Sequence, residues 1–179
     1  MRSVLVVFLL CAGAFCAYGQ KPAAVILTGN RPVFAAIDMN GNRVDTNALK
    51  GKIIVLNLWF ANCPNCIAEI GALNQFVDDN AANKDVVFLS LAASSKPVLD
   101  SFLKKNPFKY IVVPNAQMLI LSKFGQLSKG NELVVPFPMH LVMDRTGLVV
   151  ARAEGIKGFD VIKAELQRQL AAPKSGGDQ

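Results

Sequence analysis

The chain has 179 residues, of which 52% are hydrophobic and 18% are charged. This length and balance are typical of one globular domain with its own core. The formal net charge is +6, but the basic residues are scattered and do not alternate with aromatic ones. Such a distribution is typical of solvated surface charge and argues against a nucleic-acid partner.

Residues 1–19 have the layout of a secretory signal peptide. A short positive start precedes a continuous apolar run over 4–15, and the small residues Ala17 and Gly19 stand at the two key positions before a cleavage site. The apolar run is shorter than the roughly 18–20 residues that a membrane span needs, so an uncleaved anchor is the weaker alternative. We therefore expect an exported protein, periplasmic or otherwise extracytoplasmic, that is soluble after cleavage.

The remainder of the chain is interpreted as a linker over 20–31, one domain over 32–172 and a disordered tail over 173–179. The domain begins with a predicted β-hairpin. Asn40 and Gly41 form a favoured two-residue turn, and apolar residues flank the turn on both sides.

A buried strand followed by a helix comes next. Residues 53–60 are apolar on both faces except at Asn57, as in a central strand between two layers. Over 63–80 apolar residues recur at three- and four-residue steps, which predicts a helix. The later predicted elements are strands from Asp85 and Lys109, helices from Pro97 and Ala116, a polar segment over 126–132, two strands joined by a turn over 144–147, and a closing helix over 158–172. This alternation predicts an α/β sheet covered by helices on both faces.

The cysteines suggest a redox function. Two of the four cysteines, Cys11 and Cys16, lie in the predicted signal peptide, so the mature chain keeps Cys63 and Cys66. A disulfide between them closes a very small loop and would constrain the unfolded chain little. Zinc usually takes four Cys and His ligands, and His140 is the single histidine. A redox-active pair is therefore favoured over a structural disulfide or a zinc site.

The position of the pair assigns the two thiols different roles. Cys63 stands where the predicted strand has ended and the helix begins, and Pro64 suits the first helical turn. Unpaired N–H groups at a helix N-terminus favour a thiolate. We therefore expect Cys63 to be the exposed nucleophile and Cys66, one turn into the helix and more buried, to be the resolving thiol.

Two separated motifs resemble one family. "GKIIVLNLWFANCPNCIAEI" and, further on, "FPMHLVMDRTG" resemble the thioredoxin superfamily, and most closely its TlpA/ResA-like branch of exported thiol-disulfide oxidoreductases. The first motif matches at Trp59, at the C-x-x-C and at Glu69. The second matches in the spacing of Pro138, Asp144 and Gly147. The resemblance covers about residues 33–170.

The resemblance implies a thioredoxin-like fold: a central mixed β-sheet with helices on both faces and an N-terminal β-hairpin extension. It also implies that Pro138, rather than its rival Pro136, is a cis-proline lying against the cysteine pair. Extended substrate would bind beside this proline. The residues implied in substrate binding are Trp59, Asn62, Pro64, Asn65, Phe137 and Pro138. For Trp59 the favoured interpretation is packing under the active-site loop, and substrate contact is the alternative. Asn62, Pro64 and Asn65 depart from the residues common in relatives, and the dipeptide between the cysteines tunes the redox potential.

Three polar residues each have two interpretations. Asn57 either hydrogen-bonds nearby backbone, which we favour, or assists the resolving cysteine. Glu69 is either an exposed glutamate of the first turn or, as the resemblance favours, a catalytic group that exchanges a proton with Cys66. His140, two residues past Pro138, is either a copper ligand together with the cysteines or, as we expect, a residue on the surface of the sheet.

The predicted function is thiol-disulfide exchange through the dithiol itself, with no other cofactor. The resemblance implies reduction of protein disulfides, apocytochrome c among the candidates, in cytochrome c maturation, and recharging by a membrane-bound thiol reductant. We expect a monomer. The alternatives are a thiol-based metal (copper) carrier that adds His140 to the cysteines and a thioredoxin-fold binding protein. A peroxidase is disfavoured because "WFANC" lacks the Thr or Ser that such enzymes place before the reactive cysteine.

Overall fold

The computed structural model describes residues 29–173, so the predicted signal peptide, the linker up to residue 28 and the tail from residue 174 lie outside the described residues. No helix in the described range is long and apolar enough to cross a bilayer.

The elements in chain order are β1 (Ala35–Ile37), β2 (Arg43–Asp45), β3 (Ile53–Trp59), α1 (Pro64–Asp79), β4 (Val86–Ala92), α2 (Lys96–Leu103), β5 (Ile111–Val113), α3 (Gln117–Phe124), β6 (Gln126–Leu127), β7 (Leu133–Val134), β8 (Met139–Met143), β9 (Val149–Glu154) and α4 (Phe159–Ala171).

The main sheet is mixed and has the strand order β5-β4-β3-β8-β9. Strands β3, β4 and β5 run parallel, because helices connect them, whereas β8 pairs antiparallel with both β3 and β9. Strands β1 and β2 form a separate antiparallel hairpin. This arrangement confirms the predicted thioredoxin-like sheet and its N-terminal hairpin.

Strand β3 is the centre of the molecule, and every one of its residues is buried. Its side chains alternate between two cores, as the pleat of a strand requires. Ile54, Leu56 and Leu58 pack into a core shared with α3 and the β1–β2 hairpin. Ile53 and Val55 pack into a second core on the opposite face, shared with α1 and α4. Helices therefore cover both faces, and Asn57 lies on the same face as the second core.

The polar segment over 126–132 differs from the sequence-based prediction, which gave it no regular structure. It belongs to a small hairpin in which β6 pairs with β7. Ser128 closes the turn by donating its backbone N–H to the carbonyl of Glu132, and Asn131 adopts a positive φ of 65°. Each strand has only two residues, too few for apolar alternation to be detectable in the sequence.

Candidate active site

Cys63 and Cys66 are joined by a disulfide at the start of α1, with their Cα atoms 5.2 Å apart. Cys63 is the N-cap residue, and its Sγ accepts a hydrogen bond from the backbone N–H of Cys66 at 3.2 Å. Pro64 occupies the first turn, as predicted, where its missing N–H costs no helical hydrogen bond. The helix N-terminus therefore directs its partial positive charge at Cys63.

Both cysteines are buried in this disulfide form. Cys63 is 4% exposed and Cys66 is 2% exposed, so the expectation of an exposed Cys63 is wrong for the oxidised protein. The two residues pack into a small apolar cluster with Trp59 and Ala61, which removes them from solvent. The exposed residues of the loop and first turn are Asn62, Pro64 and Asn65.

The Phe137–Pro138 peptide bond is cis, as the spacing of the downstream motif implied. Pro138 is buried and leads directly into β8. Phe137 is half-buried, packs against the cysteine cluster and contacts Phe60 edge-on, with ring centroids 5.3 Å apart. The structure thus brings the two distant motifs to one place.

Trp59 does not have the position that substrate contact requires. Its side chain is 1% exposed and lies between Phe102 and Phe108, with both ring centroids 5.5 Å away. Its indole N–H donates to the hydroxyl of buried Ser90. Trp59 therefore has the favoured role of a packing residue beneath the active-site loop, and its burial argues against the alternative of a substrate contact.

Asn57, Glu69 and His140 form a buried polar cluster beside the helix that carries the cysteines. They are 1%, 3% and 1% exposed. The Nε2 atom of His140 lies 3.2 Å from Oε2 of Glu69, and the Nδ2 atom of Asn57 lies 3.2 Å from Nδ1 of His140 and 3.5 Å from Oε1 of Glu69. The cluster joins α1, β3 and β8, and Glu69 stands one helical turn from Cys66.

This cluster corrects two predictions. His140 is not on the sheet surface, because α4 covers it and places the ring of Phe159 5.6 Å from the imidazole. Asn57 hydrogen-bonds side chains rather than nearby backbone. Both outcomes follow from the strand register, in which Asn57 is directly opposite His140, so their side chains share one face. Side chains alternate along a strand, so the position of His140 in β8 places its ring on one face of that strand. The ring could be placed beside Asn57 only once the pairing of β8 with β3 was known.

Tyr110 adds a buried hydroxyl near the cluster. The hydroxyl has no hydrogen-bond partner among the residues that the structure describes. Burial raises the pKa of Tyr110 well above its usual range, and the charge of nearby Glu69 raises it further. Tyr110 therefore stays neutral over the physiological pH range and does not compete with Glu69 for protons.

An apolar cavity of about 480 Å³ opens beside Phe60 and Phe137. Helix α3 and the β6–β7 hairpin supply much of its wall. The residues that line it are Phe60, Ala93, Ser94, Gln117, Ile120, Leu121, Leu133, Val134, Val135 and Phe137. Phe60 and Phe137 also pack against the apolar cluster that contains the two cysteines, so the cavity and this cluster share two side chains. No group of three or more His, Cys, Asp or Glu side chains within residues 29–173 is placed to hold a metal ion.

Comparison with known proteins agrees with this geometry. The family model described as Redoxin matches residues 27–166. The thiol-disulfide oxidoreductase ResA of Bacillus thuringiensis subsp. konkukian is 23% identical over 92% of this chain and 93% of the relative, and ResA of Bacillus subtilis is 24% identical over 87% and 84%. A thiol:disulfide interchange protein from Chlorobium tepidum superposes with a TM-score of 0.62 at 23% identity, covering 78% of this chain and 94% of that structure.

Proposed function

Because the chain belongs to the Redoxin family and is a thiol-disulfide oxidoreductase of the ResA type, we propose that it reduces protein disulfides, with Cys63 as the nucleophile and Cys66 as the resolving thiol. The observation that carries this assignment is the position of Cys63 as N-cap of α1, with its sulfur accepting the N–H of Cys66. The same hydrogen bond and the helix dipole stabilise a thiolate at Cys63. Cys66, already inside the helix, lacks this N-terminal position.

The proposed reaction has two exchange steps. The Cys63 thiolate attacks one sulfur of the substrate disulfide and forms a mixed disulfide, and the other substrate sulfur leaves as a thiolate that takes up a proton. Cys66 then loses its proton and attacks the sulfur of Cys63. The substrate departs as its second thiol, and the enzyme retains the Cys63–Cys66 disulfide. Two electrons pass from the enzyme dithiol to the substrate.

Glu69 is the proposed proton acceptor for Cys66. It lies three residues further along α1, where side chains of neighbouring turns face each other, and both residues are buried. A carboxylate one helical turn from a thiol is suitably placed to act as its general base. Glu69 thus takes the proton that Cys66 must lose before it attacks.

The substrate is proposed to be an extended protein segment with an apolar residue near its cysteine. Phe137 and Pro138 would lie under the segment, and the exposed Asn62, Pro64 and Asn65 would border it. The adjoining cavity, with its largely apolar wall, can hold one large apolar side chain. Apocytochrome c is one candidate of this class.

The cavity gives a testable prediction. Val134 is 41% exposed and lines the cavity, so Val134→Glu should not disturb the core. A charge in an apolar subsite should lower kcat/KM for a protein disulfide by about tenfold, and the rate with the small disulfide DTNB should fall much less. Leu127→Glu is the matched control, since Leu127 belongs to the same hairpin and is exposed but does not line the cavity. Equal losses in both variants would contradict a substrate role for the cavity.

The proposal also includes export of the protein and reduction of its Cys63–Cys66 disulfide after each cycle. The layout of residues 1–19 supports export by a signal peptide, leaving a single domain over 32–172 that works as a monomer outside the cytoplasm. A membrane-bound thiol reductant would then return the oxidised pair to the dithiol. No cofactor other than this pair takes part.

The direct test is an assay of insulin reduction in the presence of a thiol reductant, together with the reduction potential of the pair. Wild-type protein should accelerate the reduction, and Cys63→Ser should not, because serine cannot form the mixed disulfide. A reducing potential, close to that of thioredoxin at about −270 mV, is expected. An oxidising potential close to that of DsbA would reverse the proposed direction, and no activity together with bound copper after purification would favour a metal carrier.

A further inference from the structure

The carboxylate of Glu69 is buried, 3% exposed, and has two side-chain partners. Among the described residues, its hydrogen-bond and ion-pair partners are Asn57 and His140. Burying an ionised carboxylate without hydrogen bonds costs far more than a protein can sustain, and the group then takes up a proton instead. The donors of Asn57 and His140 therefore decide whether Glu69 can serve as a base.

The contacts of Asn57 determine where the imidazole carries its proton. The Nδ2 atom of Asn57 faces both Oε1 of Glu69 and Nδ1 of His140. The amide nitrogen belongs on this side, because its oxygen would meet the carboxylate acceptor to acceptor. With the amide donating, Nδ1 of His140 is the acceptor and carries no hydrogen. The proton of the neutral ring is then on Nε2, which donates to Oε2 of Glu69.

We propose that His140 is a positioning residue for the resolving step: its Nε2–H holds Glu69 ionised and oriented, and Asn57 fixes the tautomer that makes this possible. The proposal rests on the proposed function, in which Glu69 accepts the proton of Cys66. His140 itself touches neither the substrate nor the reacting sulfurs in this scheme. It acts through the carboxylate.

The surroundings of the imidazole leave it no other role in proton transfer. A second proton on Nδ1 would face the amide donor of Asn57, so the contacts of the ring favour a hydrogen on Nε2. Phe159 on α4 presents an aromatic ring to it, and Tyr110, in the segment before β5, has a hydroxyl that remains protonated. Among the buried side chains of α1, the ionisable ones are Glu69 and Cys66.

The two exchange steps can be timed separately with DTNB. Attack of the reduced Cys63 on DTNB releases one thionitrobenzoate and leaves a mixed disulfide on Cys63. Attack of Cys66 on that mixed disulfide releases the second. The first release measures the nucleophile and the second measures the resolving step, so the pH profile of the second release reports whether the base is available.

In His140→Leu the carboxylate loses its strongest donor. The second release should slow by roughly tenfold at pH 7, equivalent to about 1.4 kcal/mol, because a hydrogen bond to a charged group is lost. Its pH profile should move to higher pH. The first release should change less than threefold. His140→Gln keeps an N–H donor directed at Glu69 and should restore most of the rate.

A double-mutant cycle separates this role from a loss of packing. Once Glu69→Gln has removed the base, His140→Leu should slow the second release little further, since the two residues act as one unit. If His140→Leu does not fold, His140→Asn, whose side chain is too short to reach Glu69, is tested by the same criterion. An unchanged pH profile, additive losses in the cycle, or no rescue by glutamine would each overturn the inference. Failure of wild-type protein to reduce insulin would instead contradict the proposed function.

Discussion

Cys66→Ala accumulates covalent complexes with the substrates of the protein and loses turnover by at least about 1,000-fold. The physical reason is the division of roles at the start of α1. Cys63 keeps its N-cap position and its access to the helix dipole, so it still forms mixed disulfides. The buried thiol that would release them is gone. Non-reducing gels of extracts from cells that produce the variant, followed by mass spectrometry of the bands, measure the accumulation.

Cys63→Ala is the matched control for this experiment. It retains one thiol of the same pair but removes the one at the helix N-terminus. Cys66 is buried and lies within the helix, so this variant should capture few partners or none. If Cys63→Ala trapped the same proteins as Cys66→Ala, the roles of the two cysteines would be reversed. If neither variant trapped a protein, reduction of protein disulfides would be the wrong activity.

Trp59→Ala should lower the free energy of unfolding by about 3–5 kcal/mol, the range found for removal of a large aromatic side chain from a core. The indole is buried between Phe102 and Phe108, and its N–H donates to the hydroxyl of Ser90. Alanine leaves a cavity under the active-site loop and a buried hydroxyl without its donor. Urea unfolding at equilibrium, monitored by circular dichroism, gives the difference directly.

Trp59→Phe separates the loss of aromatic packing from the loss of the indole hydrogen bond. Phenylalanine retains the aromatic packing but not the indole donor, so the loss should be well under half of that for alanine. Both variants are compared in the oxidised state, in which the Cys63–Cys66 disulfide is intact. A loss below about 1 kcal/mol for Trp59→Ala would show that Trp59 is a surface residue, and the substrate role suggested by the sequence would regain its basis.

The local features of the site follow from short stretches of sequence. The apolar run of β3 predicts a buried strand because both of its faces are covered. The change from strand to helix at Cys63, with Pro64 next, predicts the N-cap that the structure shows. The resemblance also predicts the cis-proline at Pro138, since its motif has a fixed spacing to Asp144 and Gly147. Each of these inferences depends on residues close together in the chain.

The polar cluster could not be predicted in this way. Glu69 and His140 are 71 residues apart in sequence, and they meet only because β8 pairs with β3 in one particular register. A shift of one residue would place Leu141 opposite Asn57 and turn the imidazole toward the other face of the sheet. Burial of Glu69 likewise depends on which face of α1 packs against β3. Neither the register of β8 on β3 nor the face of α1 that packs against β3 is determined by the local sequence pattern alone.

The β6–β7 hairpin is structurally separate from the elements that carry the redox site. It forms a sheet of its own with no ladder to the five main strands, yet it supplies Leu133 and Val134 to the cavity wall. The dithiol, the cis-proline and the polar cluster are all carried by α1, β3 and β8. If the cavity is the proposed substrate subsite, replacing residues 126–134 should change substrate preference and leave the redox site unchanged. The same separation makes this hairpin a suitable segment to vary in directed evolution toward other protein substrates.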